Sequence, residues 1–268
     1  MSSQYGYKQN KIEGVTSIQL FGTHYYTYKN IHFLLKCARA SEYLVVCFNG
    51  AYTPNICGQV MFRGFEYNIP KTDILCVSDG LMTTYKNLLL SWYVSTEKHD
   101  YNSTYISIFE HIIKAHGKYK DVIFTGTSGG GFPSIYFASH FKQTAIVANA
   151  QFYIDKYSYY RKLTYIIETE NKDKVILPNI EEMVVKSPPK KMVVYNNKDD
   201  EQLQISPNSS YPPFVHFLQS NNLSHILNLH VFNNSILEHA TQKYHHLHFP
   251  NNKKHITILT EYIKTLSR

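Results

Sequence analysis

A chain of 268 residues, 43% hydrophobic and 18% charged, carries enough apolar material for one large core, which excludes an intrinsically disordered protein. The formal net charge of +7 favours an anionic partner through long-range attraction. No arginine-rich arm, zinc-finger spacing or RNP-type aromatic signature accompanies that charge, which argues against nucleic acid.

Along the chain, apolar runs alternate with periodic stretches, the pattern of a sheet with parallel strands joined by helices. Val15–Gly22 and Tyr25–Tyr28 read as an opening pair of strands, and Ile31–Ala38 reads as a helix. Tyr43–Phe48 is a continuous apolar run ending at Asn49-Gly50, as expected of a strand buried on both faces. Ile74–Asp79 repeats that form. Ser103–His116 places Ile106, Phe109, Ile112 and Ile113 on one helical face, Asp121–Thr125 is the next strand, and Phe132–Phe141 the next helix. Thr144–Ala148 is again a strand. The Tyr- and Lys-rich stretch at about 154–190, closed by Pro188-Pro189, is expected to be a small cap over the sheet. Strands at Lys191–Tyr195 and Ile226–Phe232, a helix at Pro212–Ser220 and a final helix lined by Ile256, Leu259, Ile263 and Leu266 complete one domain spanning 1–268.

Four cysteines, Cys37, Cys47, Cys57 and Cys76, form no C-x-x-C pair and read as reduced core thiols. The polar amino terminus lacks the apolar stretch of a signal peptide, and no run approaches the ~18 apolar residues of a membrane span. A cytoplasmic protein with no transmembrane segment is the expectation.

The most informative segment is Gly126-Thr127-Ser128-Gly129-Gly130, a Gly-x-Ser-x-Gly run with a strand before it and a helix after it. In that context the serine sits on a sharp turn that exposes Oγ at the strand end, with glycines where a side chain would collide with neighbouring elements. The helix amino terminus then offers the Gly129 N–H to an oxyanion. A Walker-type phosphate loop would end in Gly-Lys-Ser/Thr, whereas here Gly131 precedes Phe132-Pro133. A second oxyanion donor is expected in the loop after Phe48, where the backbone N–H of Ala51 is the candidate.

A nucleophilic serine of this kind needs an acid and then a histidine, in that chain order. Strand 191–195 is followed by an acidic run in which Asp199 is the first choice and Asp200 the second. The base belongs between the last strand and the last helix, among His239, His245, His246, His248 and His255. His248, just before Phe249-Pro250, is preferred and His246 is next. The same cluster raises a metal site, but it matches no H-E-x-x-H spacing and has no cysteine nearby, so no metal is expected.

With these residues in place, the chain resembles the α/β-hydrolase-like proteins of bacterial capsule loci, including capsular polysaccharide O-acetyltransferases. The resemblance rests on Phe48-Asn49-Gly50, Phe62-Arg63, Asp79, Ser91-Trp92-Tyr93, the glycine run through Phe132, and Asn149-Ala150-Gln151. It implies an α/β-hydrolase-like, mostly parallel sheet with helices on both faces and a small cap insert. It also implies an acyl-serine mechanism with Ser128 as nucleophile, Asp199 as acid and His248 or His246 as base. Acetyl-CoA would be the acyl-donor cosubstrate and an anionic capsule polysaccharide the acceptor, with no bound cofactor and with peripheral association with the capsule-assembly machinery. Arg63, Asn49, Trp92 and Gln151 are the candidate substrate-binding residues, helped by the basic insert around Lys156, Arg161 and Lys162. A carboxylesterase using the same triad, and a non-catalytic polysaccharide-assembly protein on the same fold, are the alternatives; the acceptor sugar and the oligomeric state stay open.

Overall fold

The chain enters on a short edge strand, β1 (Gln9–Lys11), which runs parallel to β2 (Thr23–Tyr28). The computed structural model describes residues 6–197, 211–232 and 252–266. β2 turns directly into β3 (Ile31–Lys36) through Lys29 and Asn30, both at positive φ (46° and 64°), the handedness that suits a two-residue hairpin between twisted strands. Two expectations are corrected here. Ile31–Ala38 is a strand and not a helix: apolar positions 31, 33, 34 and 35 suit either period, and pairing with β2 decides between them. Val15–Gly22 is a 3-10 turn at Val15–Ser17 followed by irregular chain, because Gln9–Lys11 takes the sheet edge beside β2.

β4 (Tyr43–Phe48) and β5 (Thr72–Val77) are buried at every residue, as their uninterrupted apolar runs require. The crossover between them, 49–71, contains a 3-10 turn at Pro54–Ile56 and no α-helix. It closes over the sheet with Phe62, Tyr67 and Ile69, and it runs so close to β4 that a methyl at Gly64 would lie 2.5 Å from Cys47 Sγ. After β5 come α1 (Gly80–Thr84), the two-residue β6 (Ser95–Thr96) and α2 (Tyr101–His116). The Asp100 side chain caps α2 by accepting from the Ser103 N–H at 3.0 Å, and Gly117 at φ 64° ends it. β7 (Asp121–Thr127), α3 (Gly131–Phe141) and β8 (Thr144–Ala148) follow.

The stretch expected to cap the sheet folds as α4 (Ser158–Thr164), a π-helical continuation at Tyr165–Glu170, β9 (Val175–Ile176) and α5 (Ile180–Lys186). β9 pairs antiparallel with β6, and α5 packs on α3. β10 (Lys191–Asn197), α6 (Tyr211–Ser220), β11 (Leu227–Phe232) and α7 (Asn252–Leu266) complete the described chain.

Among the described residues nine strands form one sheet in the order β1-β2-β3-β5-β4-β7-β8-β10-β11. Within it, β3 is antiparallel to β2 and β5, and every other pairing is parallel. On one face Phe48 and Phe124 meet Phe109 of α2 and Phe137 of α3; the Phe48 and Phe137 rings stack at 5.6 Å. The other face clusters Val45, Ile123 and Ile146 with Ile258, Leu259 and Ile263 of α7. Parallel pairing brings the carboxyl ends of β4, β5, β7, β8, β10 and β11 to one edge, where open α/β sheets hold their ligands. All four cysteines are unpaired. Among the described residues no helix is long and apolar enough to cross a membrane.

Candidate active site

At the carboxyl end of β7 the chain makes one 3-10 turn, Ser128–Gly130, and enters α3. Ser128 adopts φ +55°, a left-handed conformation that costs a residue with a side chain on the order of 1–3 kcal/mol. Packing enforces the turn. A methyl at Gly126 would lie 2.3 Å from the Gly130 carbonyl oxygen, and one at Gly130 would lie 2.8 Å from the carbonyl oxygens of Phe48 and Asn49. Strand, turn and helix are thus pressed together with no room for a Cβ. Ser128 is 7% exposed, and its strain is concentrated at the residue expected to be the nucleophile.

The loop after β4 forms one wall. A methyl at Gly50 would lie 3.7 Å from Ser128 Cβ and 4.0 Å from the Gly129 nitrogen, so the Asn49-Gly50 backbone runs beside the oxyanion donor expected at Gly129. Ala51, the second expected donor, follows immediately and is exposed. Asn49 is engaged in the scaffold. Its Nδ2 donates to the Met61 carbonyl (2.6 Å), its Oδ1 accepts the Arg63 N–H (2.8 Å), and its own N–H donates to the Tyr93 hydroxyl (2.8 Å). These bonds clip the middle of the crossover loop to the sheet edge and bring the Arg63 backbone to that edge. Among the described residues the Arg63 Nε is buried without a hydrogen-bond partner.

The opposite wall comes from the end of β8 and the segment before β6. Gln151 Nε2 donates to Ser128 Oγ at 3.2 Å, and the Gln151 N–H donates to the Ser128 carbonyl at 3.3 Å. Trp92 Nε1 donates to Gln151 Oε1 at 2.5 Å. The Trp92 indole is surrounded by the rings of Tyr157, Tyr159 and Tyr160 from the insert, with centroids 6.2, 6.3 and 6.5 Å away. Ser128, Gln151 and Trp92 therefore form a hydrogen-bonded line from the nucleophile turn to the insert. The signal for Gln151 lay in its place three residues past the end of a strand adjoining β7, though nothing in its local sequence names its partner.

This arrangement of sheet and helices is similar to that of several solved structures. The capsule O-acetyltransferase of Neisseria meningitidis serogroup A is similar over 94% of this chain and 98% of its own, with a TM-score of 0.56 and 14% identity. Carboxyl esterase 2 of the mycorrhizal fungus Tuber melanosporum is similar over 97% of this chain and 91% of its own, with a TM-score of 0.53 and 12% identity. The chain has the α/β-hydrolase fold. At these identities the likeness is one of fold. MPT51 of Mycobacterium tuberculosis is a further similar structure, with a TM-score of 0.50 and 10% identity over 76% of this chain and 85% of its own. No protein-family profile matches the chain, and no curated protein sequence matches it.

In an α/β-hydrolase fold the acid and the histidine follow later strands. Here the chain leaves β10 at Asn197 and β11 at Phe232, both parallel to their neighbours and directed to the edge that carries Ser128. Asp199, His246 and His248 lie outside the described residues. Among the described residues no group of three or more His, Cys, Asp or Glu side chains suits a metal ion.

Asp79 supports the Trp92 segment from below. At the end of β5 it caps α1 by accepting from the Leu81 N–H (3.1 Å), and it also accepts from Ser91 Oγ (2.5 Å) and the Tyr93 N–H (2.9 Å). Trp92 and Tyr93 both sit at positive φ (51° and 60°), and Asp79 grips the chain on both sides of Trp92. Burial pushes its carboxyl up to about 6, against hydrogen bonds from Ser91, Tyr93 and Leu81 that act in the opposite direction. A raised folded-state pKa means that folding takes up a proton between about 4 and 6, so this group's contribution to stability falls as pH rises through that window. Urea unfolding of wild type and Asp79→Asn at pH 4, 5, 6 and 7 is expected to show the difference, wild type minus variant, shrinking from pH 4 to 6 and level above. A difference that grows with pH would assign the opposite role to this carboxyl.

Proposed function

We propose that this chain is a serine acyltransferase that carries an acetyl group from acetyl-CoA to a hydroxyl of a bacterial surface polysaccharide through an acyl-Ser128 ester. The observation that carries the reading is Ser128 at φ +55° on a turn whose glycines admit no Cβ, at the carboxyl edge of a parallel sheet. Such strain persists only where the surrounding packing overdetermines it, and it clusters at reactive residues.

In the first half-reaction Ser128 Oγ attacks the thioester carbonyl and its proton passes to the imidazole of His248 or His246, which Asp199 orients. The Gly129 N–H and a backbone N–H of the Asn49–Ala51 loop hold the oxyanion, and CoA leaves as the thiol with that proton. In the second half-reaction the sugar hydroxyl gives its proton to the imidazole and attacks the ester carbonyl, releasing the acetylated sugar and free serine. The net charge of +7, with Arg63 and the basic insert, supports recognition of CoA phosphates and an anionic polymer. The similar fold of a capsule O-acetyltransferase supports the acceptor class.

The test is incubation of the purified chain with acetyl-CoA and de-O-acetylated capsule polymers, followed by NMR of the polymer. New O-acetyl resonances that depend on the chain are expected. Free acetate without acetylated polymer would replace transfer by ester hydrolysis, and no acetyl turnover of any kind would leave a non-catalytic assembly protein.

A further inference from the structure

We infer that Gln151 is a further catalytic residue of this acyl transfer, donating a hydrogen bond to Ser128 Oγ, and that Trp92 is the positioning residue that fixes its amide. The inference rests on reading Ser128 as the nucleophile. A primary amide has two ends of nearly equal size, one accepting and one donating, and its neighbours decide which end faces the serine. The Trp92 indole N–H can only donate, so it binds Oε1 and leaves Nε2 for Ser128 Oγ. A flipped amide would set donor against donor at Trp92 in a buried place, where an unmade hydrogen bond costs about 1–3 kcal/mol. Both residues are buried, with Gln151 6% and Trp92 1% exposed, and Gln151 is held again through its main chain.

This arrangement has a chemical consequence at each step. In the resting enzyme Oγ accepts from Gln151, so the serine's own proton is directed elsewhere, toward the base. During acylation Oγ gives up that proton and forms the O–C bond. During deacylation the acceptor hydroxyl attacks, its proton moves to the imidazole, and the C–Oγ bond breaks with its electron pair returning to Oγ. The Nε2–H then stabilises the charge gathering on Oγ until the imidazolium proton arrives. A donor aimed at developing charge acts more strongly in the transition state than in the ester, so deacylation depends on it most.

The experiment uses the full chain and p-nitrophenyl acetate, with burst and steady-state phases recorded separately and the Ser128 peptide followed by mass spectrometry. Gln151→Glu keeps the shape and the acceptor toward Trp92 but presents an acceptor to Oγ. It is expected to slow deacylation by about 100-fold, the size of losing one oxyanion-type donor, with acetyl-Ser128 accumulating. Trp92→Phe frees the amide to flip and is expected to act in the same direction by about 10-fold, while Gln151 itself is unchanged. Deacylation at the wild-type rate in Gln151→Glu would overturn the inference, and so would equal loss in both phases with early unfolding, the mark of a structural role. Fluorophosphonate labelling of wild-type Ser128 separates the two levels. A labelled serine with an unaffected Gln151→Glu variant defeats this inference alone, whereas a wild-type serine that neither labels nor turns over ester defeats the nucleophile reading beneath it.

Discussion

Ser128→Ala is expected to lower acetyl turnover by roughly 10⁴-fold or more, the scale on which serine nucleophiles fail when their oxygen is removed, and to leave the chain folded. The folded state is expected to survive because, among the described residues, Oγ takes part in one hydrogen bond, from Gln151, while the turn is shaped by glycine contacts that the substitution does not touch. Ser128→Gly sharpens the test. It is equally inactive, yet it relieves the cost of φ +55°, on the order of 1–3 kcal/mol, less about 0.5–1 kcal/mol for a freer unfolded chain. The glycine variant is therefore expected to unfold at a higher temperature than the alanine variant. Turnover retained in either variant would remove Ser128 from the mechanism; an alanine variant more stable than the glycine one would contradict the strain.

Gly126→Ala is expected to have the largest effect on stability. Its methyl would lie 2.3 Å from the oxygen and 2.5 Å from the carbon of the Gly130 carbonyl. Both atoms are backbone, so the start of α3 must move away from β7, at a cost of about 3 kcal/mol. The movement also displaces Ser128, and a shift of about 1 Å at a reacting group costs on the order of 100-fold in rate. Gly129→Ala is the internal control. There the methyl would meet Leu90 Cδ1 at 2.3 Å, the far end of a flexible side chain, and a smaller loss is expected. Urea midpoints of the two variants, with turnover expressed per folded molecule, decide the matter. Equal stability of Gly126→Ala and wild type would mean that the turn is not built by this contact.

The strand, turn and helix around Ser128 are legible in the sequence because their signals are local. A strand run, five motif residues and a helical run lie within 121–141, and the element bounds came out within two residues of the expected ones. Tyr43–Phe48 and Thr144–Ala148 were legible for a similar reason: each is an apolar run bounded by polar or glycine residues, and burial on both faces leaves no other reading. The opening of the chain misled. Ile31–Lys36 has apolar spacing that serves a helix or a strand, and its assignment depends on pairing with both β2 and β5, which no local period reports. Asn49 shows the same limit at the site. Its place beside the nucleophile turn was anticipated, but its side chain holds Met61 and Arg63 in the crossover loop.

By itself the sequence determined the strained serine, its strand and its helix, because the backbone geometry of that turn depends on residues adjacent in the chain. It also determined the alternation of buried strands with helices, since hydrophobic periodicity is read within one element. Only the tertiary structure decided what stands against Ser128. Gly50 reaches it from β4, and Gln151 from β8 with Trp92 behind it, because parallel pairing brings strand ends from distant parts of the chain to one edge. The direction of the Gln151 amide was decided there too, since an indole N–H 59 residues away in the chain is what makes one end of that amide face the serine.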